Sequence, residues 1–271
     1  MSSFAPRALV EPITRQPLPY GLFSVLQPRP ESDPHWQNGV EWEALTCEPV
    51  TGFGVDCDDS TIPIPDNGPE LGDADPFQLE GTYTCGHDVQ LAQDRAKEHL
   101  LAREEAGAEY SLWTGAYGNT GFAEGAVNAR GSATAVKLGL AVASLEEFIA
   151  KQYGSLGVVH LTREAAALGL SMGAVLAVRG SGLYTLLGTP VIAGAGYPGT
   201  GPAGQAPSGD STYVYATPAL LGYRSEVFTA ATPVGASLNR SNNDILGTAL
   251  RTYVIGWDPC PVGYALADLG A

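Results

Sequence analysis

Up to about residue 87 the apolar positions follow no helical spacing. Eleven prolines between positions 12 and 76 forbid a long helix and favour extended chain. Short strands are predicted only at 39–47 and 78–85. A stretch this poor in periodic apolar residues builds no core of its own, and reads as an arm draped over other structure. The pattern changes at Asp88. Val89, Ala92, Ala96, Leu100, Tyr110 and Trp113 recur at three- and four-residue steps, with Gln93, Lys97, Glu98, Arg103 and Glu104 between them. This predicts a helix over 88–113 that Asp88 caps and Gly115 stops.

A second helix is predicted from Ser144, where Ser144-Leu145-Glu146-Glu147 has the form of a capping box, to Gly154. An apolar strand at 156–161 and a helical turn at 162–168 follow. Beyond residue 174 the alternation is that of strands, at 174–179, 183–186, 190–193, 212–216, 220–225 and 246–257. A Gly/Pro-rich loop, 194–210, separates the third from the fourth. The class is α+β: an extended arm, one long helix, then a mixed sheet with short helices.

Composition narrows the function. Hydrophobic residues make up 44% of the 271, enough for a sizeable core. The net charge of −15 excludes a globally basic nucleic-acid binder. The charge is also uneven. Residues 1–30 carry Arg7, Arg15 and Arg29 against Glu11 alone, whereas 31–110 hold 19 of the 29 acids. A basic arm before an acidic segment could serve association between copies, or could be plain solvated surface. Cys47, Cys57, Cys85 and Cys260 form no CxxC and are expected as free, mostly buried thiols, with a Cys47–Cys57 bridge as the alternative. No run of 18 apolar residues occurs, so a soluble protein from a reducing cytosol, without membrane contact, is expected.

The catalytic motifs fail on context. Gly194-Ala195-Gly196-Tyr197-Pro198-Gly199 spells GxGxxG, but Pro202 and Pro207 follow where a nucleotide site needs a helix; a mobile loop is expected instead. Gly169-Leu170-Ser171-Met172-Gly173 spells GxSxG, but runs from helix to strand, the reverse of a nucleophile elbow, and no His follows it. Glu104, Glu105, Glu146 and Glu147 are adjacent pairs that point apart on a helix, so solvated faces or interface charges are expected. His160 reads as structural. No metal or cofactor is implied.

The order of elements resembles the major capsid proteins of tailed bacteriophages and the related encapsulin shell proteins, whose HK97-like fold is named after phage Hong Kong 97. The likeness rests on Arg95-Ala96, Glu104-Glu105 and Trp113-Thr114-Gly115 in the long helix, LLGTPVIA (186–193) and TALRTYVIGWD (248–258). It implies an arm and loop over 1–77, and a loop end with a spine helix over 78–143 in a peripheral domain. A mainly axial domain over 144–244 and a closing peripheral strand over 245–271 complete it. The implied function is a structural one, without catalysis. The chain would be a subunit self-assembling through pentamers and hexamers into the icosahedral head of a phage, enclosing double-stranded DNA without reading it. Scaffolding, portal and decoration proteins are further candidate partners, and the place is the virion, assembled in the host cytoplasm. Arg7, Arg15, Arg29, Arg95, Glu104, Glu105 and Trp113 are the expected inter-subunit contacts, with loop 194–210 at a capsomer axis and tolerant of an inserted tag. Residues 1–30 are expected to be needed for assembly and dispensable for folding. The competing readings are an encapsulin-like shell protein, a minor head or tail component, and, furthest behind, a serine hydrolase using Ser171.

Overall fold

The computed structural model describes residues 15–29, 34–48, 50, 70–85, 88–173, 175–230, 238–239 and 244–270. A short helix α1 (Leu22–Val25) precedes strands β1 (Val40–Ala44), β2 (Glu70–Ala74) and β3 (Pro76–Cys85). The long helix α2 (Val89–Thr114) follows, then β4 (Val127–Asn128), β5 (Val136–Lys137), α3 (Leu138–Gln152), β6 (Val158–Thr162) and α4 (Arg163–Ser171). The rest is strand: β7 (Leu176–Arg179), β8 (Gly182–Thr185), β9 (Pro190–Gly194), β10 (Ser211–Thr217), β11 (Leu220–Arg224) and β12 (Phe228–Thr229), then β13 (Leu238–Asn239), β14 (Asp244–Trp257) and β15 (Gly263–Asp268).

Three sheets result. An eight-stranded sheet runs β4-β15-β10-β6-β9-β8-β7, with β5 also on β15. In a second sheet the long β14 carries β11, β12, β13 and β3, pairing with β3 from Ile245↔Cys85 to Val254↔Pro76. The third is the β1–β2 hairpin. The period-two alternation of strands explains how two cores share the large sheet. Val158, Ile192, Tyr213 and Tyr215 face the core under α2, while Val159, Leu161, Val191, Val214 and Ala216 face the core under α3 and α4. Burial on both faces is why these strands read as continuous apolar runs. On the first side Trp113, Phe122, Tyr197 and Tyr215 form an aromatic cluster, the Trp113–Tyr215 pair meeting edge-on at 4.7 Å.

Helix α2 starts as its sequence dictates. The Asp88 carboxylate accepts from the Leu91 N–H at 3.0 Å, and Gly115 closes the helix in the left-handed region, φ 75°. It lies directly on β3 and β14 because Gly81 and Gly247 present no Cβ; one added at either would collide with α2 backbone, at Ala96 or Ala92 respectively.

Three expectations need correction. Helix α3 begins at Leu138, not Ser144: the Ser144 hydroxyl donates back to the Leu140 carbonyl at 2.7 Å, inside the helix. Strand β15 has no counterpart among the predicted strands, because its fully buried face is only Gly263, Ala265 and Ala267, while Tyr264 and Leu266 pack half-buried on the other core. It joins the eight-stranded sheet, so residues 245–271 divide between two sheets. The thiol reading fails for two cysteines, since Cys47 and Cys260 are joined by a disulfide with Cα atoms 5.5 Å apart. In a chain-entropy account, closing so long a loop contributes up to about 5 kcal/mol. Cys57, and with it the Cys47–Cys57 alternative, lies outside the described residues, but Cys47 is already bonded elsewhere.

Gly247→Ala should cost about 1–3 kcal/mol by forcing α2 off the sheet. Thermal unfolding will show it as a lowered Tm; an unchanged Tm would mean that α2 is not seated on β14 as described.

Candidate functional site: the arm seat and its groove

Residues 15–29 cross the molecule as an extended strap with one helical turn. Leu22 is fully buried and Leu26 nearly so, each contributing about 1.5–3 kcal/mol by burial. The strap's backbone is held by α2. Glu109 Oε1 accepts from the Leu22 N–H at 3.0 Å, and Glu105 Oε1 from the Phe23 N–H at 2.8 Å. On the other side the Ala193 N–H donates to the Tyr20 carbonyl at 2.7 Å. The Arg163 guanidinium spans the Pro19 and Ala193 carbonyls at 3.0 and 3.3 Å. The strap ends beside β11, where the Arg29 N–H donates to the Gly222 carbonyl.

The same helix face ties in the loop after β9. Glu109 Oε2 accepts from the Gly196 N–H at 2.8 Å, and a Cβ on Gly196 would collide with the Ala106 carbonyl. The first part of loop 194–210 is therefore packed, with Tyr197 buried, against the expectation of a mobile loop, while most of 203–210 is exposed. Burial pushes the Glu109 carboxyl up to about 7, outweighing the Gly196 and Leu22 N–H groups that favour its anion. Burial likewise raises Glu105. One turn earlier, Glu104 pairs with Arg251 at 2.7 Å and more distantly with Arg224 at 3.5 Å, and accepts the Tyr253 hydroxyl.

Beside the strap lies an open groove of about 1040 Å³. Arg15 and Leu18 of the strap line it together with Tyr83 and the α2 residues Arg95, His99, Leu101, Glu105 and Glu109. Leu18, Tyr83 and Leu101 are each more than 40% exposed, an apolar lining that water covers poorly.

Of the expected inter-subunit contacts, Arg15, Arg95 and Glu105 come together at this groove, Arg95 pairing with Glu98 on its rim. Arg29 is exposed but lies at β11. Within the subunit Trp113 is wholly buried, its Nε1–H donating to the Thr200 carbonyl at 3.1 Å, and Glu104 is closed inside its ion cluster. Arg7 lies outside the described residues. The expectation that 1–30 is dispensable for folding also falls, because Leu22 and Leu26 belong to the core.

Residues Glu109, Arg163 and Arg251 escaped the sequence reading. The signal for Glu109 was its setting among Ala106, Gly107 and Ala108, small residues that allow close approach and so bury whatever acid they flank. Ser171 has no catalytic setting: its hydroxyl donates to the Leu168 carbonyl at 2.7 Å. His160 is buried between the Tyr197 hydroxyl, 2.7 Å, and Thr217 Oγ1, 2.9 Å, and burial lowers its pKa to about 3. Glu146, half-buried, accepts from the hydroxyls of Thr185 and Thr189 and so fixes the β8–β9 turn to α3; Glu147 keeps an exposed pair with Lys151.

No known family model matches the sequence, and no curated protein does. Solved counterparts of the fold exist over nearly its whole length. A chain from Microbacterium phage Oxtober96 aligns at TM-score 0.53 and 12% identity, over 98% of this chain and 96% of its own. One from Mycobacterium phage Adephagia aligns at 0.53 and 10%, over 97% and 96%. One from Gordonia phage Cozz aligns at 0.52 and 12%, over 96% and 90%. The likeness is one of fold, and the fold is HK97-like, with arm, long helix and two-cored body.

Because the folded pKa of Glu109 is raised, its contribution is most favourable below pH 4.5 and declines as pH climbs to about 7. The stability of the wild type minus that of Glu109→Gln should fall across this window and level off above it, as denaturant titrations at several pH values will show. Arg251→Ala, which leaves Glu104 buried without its nearest cation, should cost about 3–5 kcal/mol, and Glu104→Leu combined with Arg251→Met far less. Equal losses in the two variants would contradict this account.

Proposed function

We propose that this chain is a structural shell subunit, the major capsid protein of a tailed phage, self-assembling into an icosahedral head that encloses double-stranded DNA. The observation that carries the reading is the likeness in fold to phage chains over more than nine-tenths of both partners. The arm seat supports it. A strap that runs from one core to the other leaves a groove beside it with an apolar lining, a surface suited to a neighbouring copy. Ordering an arm costs about 1–2 kcal/mol per residue in backbone entropy, which a large obligate interface, on the order of 2,000–5,000 Å², offsets. Closed symmetry repeats each such contact around the shell.

In this reading the subunit does no chemistry. Its acidity has a use instead: exposed Glu41, Glu43, Asp73 and Asp75 on and beside the β1–β2 hairpin repel phosphates, so a shell wall bearing them holds DNA without adhering to it. Scaffold, portal and decoration proteins, assembly in a host cytoplasm, and the division into peripheral and axial domains belong to the same proposal.

Negative-stain electron microscopy of the purified chain, alone and co-expressed with its neighbouring head genes, tests it. Closed particles in either condition are expected, and persistent monomers in both would overturn the reading. Leu101→Asp, placed on the exposed side of α2, should leave the circular dichroism and Tm of the subunit unchanged while abolishing particles.

A further inference from the structure

The Cys47–Cys260 disulfide is left unused by the shell reading. It joins a point three residues beyond β1 to the turn between β14 and β15, across 213 residues of sequence. The inner end of the β1–β2 hairpin is held without it. Val40, Trp42 and Ala74 pack with Trp36, Val254 and Tyr223. The Trp42 indole N–H donates to Asp258 Oδ1 at 3.1 Å, and Oδ2 of the same carboxylate accepts the Tyr153 hydroxyl at 2.6 Å.

At the outer end, among the described residues, Ala44 is buried and little else is. Leu45 is 91% exposed and Leu71 61%. Among the described residues, no hydrogen bond or ion pair joins residues 43–48 to anything beyond their own hairpin. The sulfur bridge is thus the tie on the outer half of the hairpin. Cys260 is 4% exposed and Cys47 is more open, so a reductant meets the bridge from the hairpin side.

We propose that the Cys47–Cys260 disulfide is a redox latch: oxidised, it clamps the outer half of the β1–β2 hairpin to the β14–β15 turn, and reduction releases that half while the body stays folded. The chemistry is thiol–disulfide exchange with a dithiol. One thiolate of the dithiol attacks the Cys47 sulfur and displaces Cys260 as thiolate, which takes a proton. The second thiol then displaces Cys47 from the mixed disulfide, so that two protein thiols form as the dithiol is oxidised to its own disulfide. The latch operates on the single subunit and does not depend on shell formation.

Hydrogen exchange of the full chain, read by mass spectrometry before and after dithiothreitol, tests the latch, with Cys47→Ser and Cys260→Ser run alongside. Intact mass should show two added hydrogens on reduction. Exchange at 43–48 and 70–72 should accelerate by about tenfold or more, with α2, β3 and β14 unchanged. Both serine variants should match the reduced wild type and ignore dithiothreitol. Equal protection in the two redox states would overturn the proposal. So would a loss of protection throughout the body, which would make the bridge a staple of the whole fold, or recovery of Cys47 and Cys260 themselves as free thiols in the air-oxidised protein. The exchange rates are measured equally well on a chain that never forms particles, so this proposal and the shell reading fail separately.

Discussion

A carboxylate taken out of water must be given donors or a counter-charge, and α2 buries two, Glu104 and Glu109, and half-buries a third, Glu105. Each is satisfied by a segment distant in sequence: Glu109 by the strap and the loop after β9, Glu105 by the strap, Glu104 by β11 and β14. The helix thereby decides where four parts of the chain meet. The apolar cores supply the driving force without direction; the acids supply the register, because each N–H or guanidinium has one place to go. This also explains why an arm with so little periodicity has a definite path.

The second constraint is the sharing of one sheet by two cores. Adjacent residues of β6, β9 and β10 face opposite sides, so a change of register in β10 would put Tyr213 and Tyr215 where Val214 and Ala216 pack. The site sits on the α2 side of this sheet, where Tyr197 and Trp113 lock the loop that Glu109 holds. Rigid support on one side and an open groove on the other is an arrangement suited to binding a partner.

Much of this was legible in the residues. The long helix, its Asp88 cap and its Gly115 stop were readable because cap chemistry and three–four spacing are local signals. Strand β15 and the start of α3 were not. GYALAD and LGLAVAS are built from small residues whose roles come from what packs against them, Phe148 against Gly263 for instance. The buried acids misled for a related reason: in a sequence, an Arg251 that neutralises Glu104 from 147 residues away looks like any other surface charge. The Cys47–Cys260 pairing was hidden by the same distance, since the spacing pointed to free thiols, with only the near neighbour Cys57 as an alternative partner for Cys47.

The disulfide has a mechanical consequence as well. It closes residues 47–260 into a covalent ring that contains α2, α3, α4 and all of β14, leaving the strap and β15 outside. Tension that enters through the two ends of the chain can peel the strap or β15, but must then run through the sulfur bridge and not through the hydrogen bonds inside the ring. The body is shielded from pulling along the chain, and the parts that can yield under load are the segments outside the ring.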